Sequence, residues 1–158
     1  MPAKVIGFHI DLQRDRTLAQ KQILLLVEAL VNINRAYLHR NPRTPLLYSS
    51  GAKYIGQEGA EEWYDIGEML LRGGGDCKIL AAARIAELRE KGGFGWQQVR
   101  PFLKWRRNAE KSFYLYHVQV EHVSPDGIVQ IEDPSVKLGM HEYHRKRRAQ
   151  GIDDYPEL

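Results

Sequence analysis

Residues 113–135 read Phe113-Tyr114-Leu115-Tyr116-His117-Val118-Gln119-Val120-Glu121-His122-Val123-Ser124-Pro125-Asp126-Gly127-Ile128-Val129-Gln130-Ile131-Glu132-Asp133-Pro134-Ser135. β-branched and aromatic residues flank a Ser-Pro-Asp-Gly turn, which predicts two antiparallel strands over 113–123 and 127–133. Proline at the first corner and glycine at the left-handed position suit a type I turn with a G1 bulge and a three-residue loop. That turn pairs Ser124 with Ile128. Continued along the ladder, the register sets Gln119 opposite Asp133. His117 lies two residues from Gln119 on the same face, so Asp133 becomes its diagonal neighbour. A shift of one residue would turn Asp133 to the other face. Pro134 ends the strand.

Upstream, residues 96–105 have strand composition and predict a third strand. Earlier still the pattern is helical. Ile23, Leu26, Val27, Leu30, Val31, Ile33, Tyr37 and Leu38 recur at helical spacing, predicting a helix over 18–38 with Asp15 or Thr17 as its cap and these residues on the core. Asn41-Pro42-Arg43-Thr44-Pro45 stops it. Residues 46–58 read as an irregular connection, and a second helix is expected over 60–71, up to Gly73-Gly74-Gly75. A third, alanine-rich helix is expected over 76–91, ended by Gly92-Gly93; its small side chains predict packing on several sides. Residues 5–12 alternate weakly as a short strand, and 140–158 read as a final basic helix with a loose, acidic end. Helices first and an antiparallel sheet second define an α+β class. The 158 residues predict a single domain with its core over about 60–135 and a basic C-terminal tail over about 140–158.

Apolar content of 43% and charged content of 27% are those of a soluble globular chain. No apolar run approaches the roughly 20 residues of a membrane span. The N-terminus lacks the apolar core of a secretory leader, so a cytoplasmic location is expected. A single cysteine excludes an internal disulfide framework and a multi-cysteine zinc site. The net charge of +3 is locally concentrated, at Lys104, Arg106 and Arg107 and at Arg145-Lys146-Arg147-Arg148. Both clusters read first as solvated surface and second as a patch for nucleic acid or another acidic partner, without an accompanying nucleic-acid motif.

The lone cysteine, Cys77, stands where Gly73-Gly74-Gly75-Asp76 becomes a helix. Free N–H groups at a helix start favour thiolate and can hold an oxyanion beside the sulfur. The glycines let another backbone lie close. A nucleophilic cysteine needs a base and a group that orients the base. Of six histidines, His9, His39, His141 and His144 fall near element ends or in the basic tail, where solvation is the default. His117 and His122 share a strand but differ by an odd number, so only one can face the cysteine. The hairpin register chooses His117 and supplies Asp133. Cys77, His117 and Asp133 therefore form a candidate triad.

These residues resemble the transglutaminase-like superfamily of papain-fold cysteine enzymes. Gly75-Asp76-Cys77 with Ala81 is similar to the nucleophile motif, His117-Val118-Gln119-Val120-Glu121 to the His-x-Trp-Val-Glu strand, and Asp133-Pro134-Ser135 to the Asp-Pro-Thr/Ser strand end. Trp63 and Glu68 ahead of the glycines resemble the bacterial transglutaminase-like cysteine peptidases. The resemblance spans about 60–135. It implies Cys77 as nucleophile, His117 as base and Asp133 as orienting acid, on a cysteine-bearing helix packed against an antiparallel sheet. The implied chemistry is acyl transfer from an amide through a thioester: water as acceptor gives a peptidase or amidase, an amine gives a transglutaminase. Two positions depart from the pattern. Gln119 replaces the tryptophan, and Lys78-Ile79 replaces an acidic pair that serves calcium in some relatives, so neither calcium nor another cofactor is expected. Lys78 reads either as a solvent-facing residue of the first turn or as a charge that helps hold a thiolate.

The expected function is a cysteine peptidase or amidase acting on a protein or peptide. The alternatives are a non-catalytic structural or assembly protein of the kind found in bacteriophage structural-gene clusters, which would associate with a virion, and a protein-glutamine amine transferase. Asp76 is expected to cap the helix, its charge opposing thiolate formation. The Cys77 N–H is one oxyanion donor, and Tyr48, Tyr54, Gln57 and Trp63 are candidates for the second. Trp96, Trp105 and Tyr116 read as core.

Overall fold

The computed structural model describes residues 15–57, 61–108 and 113–152. The strand expected over 5–12, His9 and the end of the tail lie outside them. The order is α1 (Arg16–Arg40), a 3-10 turn (Leu47–Ser49), β1 (Lys53–Tyr54), α2 (Ile66–Arg72), β2 (Gly74–Gly75), α3 (Cys77–Glu90), β3 (Val99–Asn108), β4 (Phe113–Val123), β5 (Val129–Glu132), α4 (Pro134–Lys137) and α5 (Met140–Ala149). This is an α+β fold. Its three-stranded antiparallel sheet runs β3-β4-β5, and a small parallel pair joins β1 to β2. Among the described residues no helix is long and apolar enough to cross a membrane.

α3 lies at the centre of the core. Ile79, Leu80, Ala81, Ala82, Ala83, Ile85 and Ala86 are all at most 2% exposed, so the helix is covered on every side. Its alanines let α1 and the sheet approach closely, as their size predicts. Ile79, Leu80 and Ile85 each stabilise the fold by about 1.5–3 kcal/mol through burial. α1 starts at Asp15, whose carboxylate accepts from the Leu18 N–H at 2.9 Å. It buries Ala19, Ile23, Val27, Leu30, Val31, Asn34 and Leu38. Ile33, expected on this face, is 54% exposed. The buried position is taken by Asn34, whose side chain accepts from the Ile66 N–H at 2.9 Å and so ties α1 to the first turn of α2. α2 starts at its Asp65 cap, later than the helical composition predicts.

Within the sheet, β5 pairs with only one end of β4: Val120 faces Glu132, and Val123 faces Val129. The Ser124 N–H bonds to the Ile128 carbonyl at 3.0 Å, and Gly127 has φ +82°. The hairpin therefore has the register read from the turn. The pairing with β5 ends at Val120, where the chain departs through Asp133 and Pro134 into α4.

Candidate active site

The three consecutive glycines do three different jobs. Gly73, at φ +82°, closes α2 in the left-handed conformation. Gly74, at φ +153°, lies against β1, where a Cβ would come within 1.8 Å of the Lys53 carbonyl oxygen. A Cβ on Gly75 would come within 2.6 Å of the Ile79 side chain. The close backbone neighbour that the glycines allow is thus β1, a two-residue strand too short to show in the sequence pattern.

Asp76 caps α3, its carboxylate accepting from the Ile79 N–H at 3.4 Å. Cys77 is the first residue of the helix and is 8% exposed. The Val118 backbone N–H, one residue from His117 on β4, acts on its sulfur and favours the thiolate. The thiol is pushed up to about 12, first by burial and then by the Asp76 carboxylate; the Val118 N–H and the Lys78 ammonium act in the opposite sense.

His117 is 1% exposed. Its Nε2 meets Asp133 Oδ2 at 2.8 Å. In the neutral ring the proton shared with this carboxylate sits on Nε2, which leaves Nδ1 as the basic nitrogen. Gln119 Nε2 donates to the same Asp133 oxygen at 3.0 Å. The other oxygen of Asp133 accepts from the Val136 N–H at 3.2 Å and caps α4. Burial acts to raise the Asp133 carboxyl, but His117, Gln119 and the Val136 N–H together hold it below the usual carboxylate range. His122 faces the other way and bonds Glu132 at 2.7 Å, in keeping with its odd spacing from His117.

Lys78 is neither solvent-facing nor hydrogen-bonded to the sulfur. Its side chain is 0% exposed. The ammonium forms an ion pair with Asp76, donates to Gln57 Oε1 at 3.0 Å and sits 5.4 Å from the centre of the Trp63 ring. It offsets the N-cap charge that opposes ionisation of the neighbouring thiol. No spacing rule reveals this, because the partner is another residue of the same tight turn.

Of the candidate oxyanion donors, Gln57 and Trp63 stand on the cysteine side of the fold, around Lys78. Tyr48 does not: its hydroxyl donates to Glu132. Tyr54 packs against Tyr143, with ring centres 5.3 Å apart. Tyr64 and Glu61, which the sequence did not single out, also belong to this wall. The Tyr64 hydroxyl donates to the Gly74 carbonyl at 3.2 Å. Glu61 accepts from the Tyr116 hydroxyl at 2.8 and 2.9 Å, and both groups lie within electrostatic reach of the sulfur. Tyr116 packs against the core as expected, with its hydroxyl turned to Glu61. Trp96 is 64% exposed, whereas Trp105 is partly buried and donates to Gln20 at 2.9 Å. His144, expected in solvent, is buried beside Tyr54 and Tyr143.

No family model, curated protein or solved structure matches this chain. A cavity of about 460 Å³ lies at the far end of α1, lined by Arg35, His39, Arg40 and Glu90, well away from Cys77 in the chain and in chemistry. Among the described residues no three His, Cys, Asp or Glu side chains gather as ligands for a metal ion.

Proposed function

We propose that this chain is a cysteine-dependent acyl hydrolase, a peptidase or amidase that works through a thioester on Cys77. The observation that carries the proposal is the His117–Asp133 pair, bonded through Nε2 on the strand whose next N–H favours the Cys77 thiolate. Asp133 fixes the tautomer that leaves Nδ1 basic. His117 takes the thiol proton, and the sulfur attacks a carbonyl carbon. The carbonyl oxygen becomes an oxyanion that the free N–H groups at the start of α3 stabilise. Collapse of this intermediate expels the amine, which receives the proton from His117. Water, deprotonated by His117, then releases the acid and restores the thiol. The resemblance of the Cys77, His117 and Asp133 blocks to transglutaminase-like enzymes supports the same roles.

The test is acylation by an activated ester such as p-nitrophenyl acetate, followed by intact-mass measurement. An acetyl adduct that forms on Cys77 and then decays supports the proposal. The adduct should be absent in Cys77→Ala and should decay slowly in His117→Ala. A wild-type protein that never acquires the adduct overturns it.

A second reading has its own support. Burial of Cys77 and the rise of its thiol to about 12 favour a non-catalytic domain that keeps the fold for binding or assembly. Full biological function in a Cys77→Ala variant would select that reading. Transfer to an amine is the third outcome, read by incorporation of a labelled primary amine into a glutamine-containing protein.

A further inference from the structure

We infer that Gln119 is a positioning residue for the base, in deepening of the triad reading above. Gln119 and His117 lie on one face of β4, and both donate to a single oxygen, Asp133 Oδ2, at 3.0 and 2.8 Å. The opposite oxygen is held by the Val136 N–H. Asp133 is thus gripped on both sides: by α4 through the cap, and by β4 through Gln119. Without the amide, only the imidazole itself would hold Oδ2 in place. The carboxylate could then turn about its side-chain bonds while keeping its cap to Val136. His117 would lose the acceptor that keeps its proton on Nε2, and the Nδ1–H tautomer, which cannot accept the thiol proton at that atom, would gain population. β3 pairs with the other edge of β4 here, and β5 does not reach this part of it, so among the described residues no strand beside Asp133 replaces the restraint. An apolar residue at position 119 could shield the pair but could not donate to Asp133. The chain therefore holds the carboxylate by a hydrogen bond at the position where the transglutaminase-like pattern it resembles has tryptophan.

The experiment is nitrogen-15 NMR of the histidine side chains in the full chain, with iodoacetamide labelling of Cys77 in parallel. The wild type should show His117 as the Nε2–H tautomer with a slowly exchanging ring proton. Gln119→Met, which keeps the length but removes the donor, should mix the two tautomers. It should also speed exchange of that proton about 3- to 10-fold, the range one hydrogen bond supports, and slow Cys77 labelling by a similar factor, with the thermal midpoint lowered by no more than about 4 °C. Position 119 is only partly buried, and Gln119→Thr is a second variant should the methionine disturb folding. A His117 tautomer and exchange rate unchanged in both variants would overturn the inference. Altered tautomers together with wild-type labelling insensitive to His117→Ala would support the role of Gln119 while rejecting the catalytic reading on which its importance rests.

Discussion

Replacing Lys78 by methionine isolates the buried charge beside the cysteine. Lys78 and Asp76 have side chains 0% and 13% exposed, and each is the other's ion partner. Methionine preserves the packing of the stem, so the loss is chiefly electrostatic. A buried charge deprived of its partner costs about 3–5 kcal/mol. Asp76 can limit that cost by taking up a proton. With an ordinary carboxylate at about 3.9, doing so at pH 7 costs about 4 kcal/mol, so the two routes are comparable. Asp76 already lies above the usual carboxylate range in the folded protein, driven there by burial against the pull of Lys78. A group raised on folding binds its proton more tightly in the native state. It favours folding at low pH, and that contribution fades as pH rises through the folded value. Lys78→Met raises the folded value further. The stability deficit should therefore be small near pH 4 and full above the shifted value. At pH 7.5 it should be about 3 kcal/mol or more, and the thermal midpoint should fall by roughly 6 °C or more. Urea unfolding followed by tryptophan fluorescence at pH 4.5 and pH 7.5 measures the deficit, and a thermal scan at pH 7.5 the midpoint. Equal deficits at the two pH values, or a deficit below about 1 kcal/mol at pH 7.5, would refute the buried-pair account.

Gly74→Ala should cost at least about 2 kcal/mol, because its Cβ would collide with the Lys53 carbonyl oxygen at 1.8 Å and break the β1–β2 pair; thermal unfolding with a wild-type midpoint would contradict the packing described at the glycine turn. Arg89→Met should cost about 1–3 kcal/mol, since Arg89 donates to the Val99 carbonyl at 3.0 and 2.8 Å as well as to Glu28, and that carbonyl would be left buried; denaturant unfolding reads the change. Glu132 and Asp133 are both held below the usual carboxylate range. For Glu132, burial opposes this, but Tyr48, Arg84 and His122 outweigh it. Their stabilisation is present above the unfolded values near 4 and is lost as pH falls through the folded ones. An acid-unfolding titration should steepen below about pH 4, and Glu132→Gln should flatten that limb.

The hairpin was legible because its signals are local and redundant. Ser124-Pro125-Asp126-Gly127 sets a turn, the turn sets a register, and the register brings Gln119 and His117 to Asp133. α3 was legible for a similar reason: Asp76 caps it and its alanines admit neighbours on all sides. What stayed hidden depends on contacts across the fold. Ile33 continues the apolar pattern of α1, yet the neighbouring Asn34 is buried because it serves the Ile66 N–H of α2. Lys78 looks like a surface residue until Asp76, Gln57 and Trp63 surround it. Tyr116 alternates as a core residue and packs there, but the bond from its hydroxyl to Glu61 does not show in the pattern. The parallel pair of β1 and β2 has two residues in each strand, too few for any periodicity.

The most direct test of the account is the rate at which iodoacetamide alkylates Cys77 as a function of pH, in the wild type and in His117→Ala. With His117 in place the thiol is still pushed up to about 12, so unless its proton passes to His117 it reacts only in strong alkali. If His117 accepts its proton, the wild type reacts near neutral pH, and His117→Ala reacts at least about tenfold more slowly there, the lower end of what a positioned base contributes. Identical rates in the two proteins, rising only in strong alkali, would contradict the claim that His117 and Asp133 activate this cysteine.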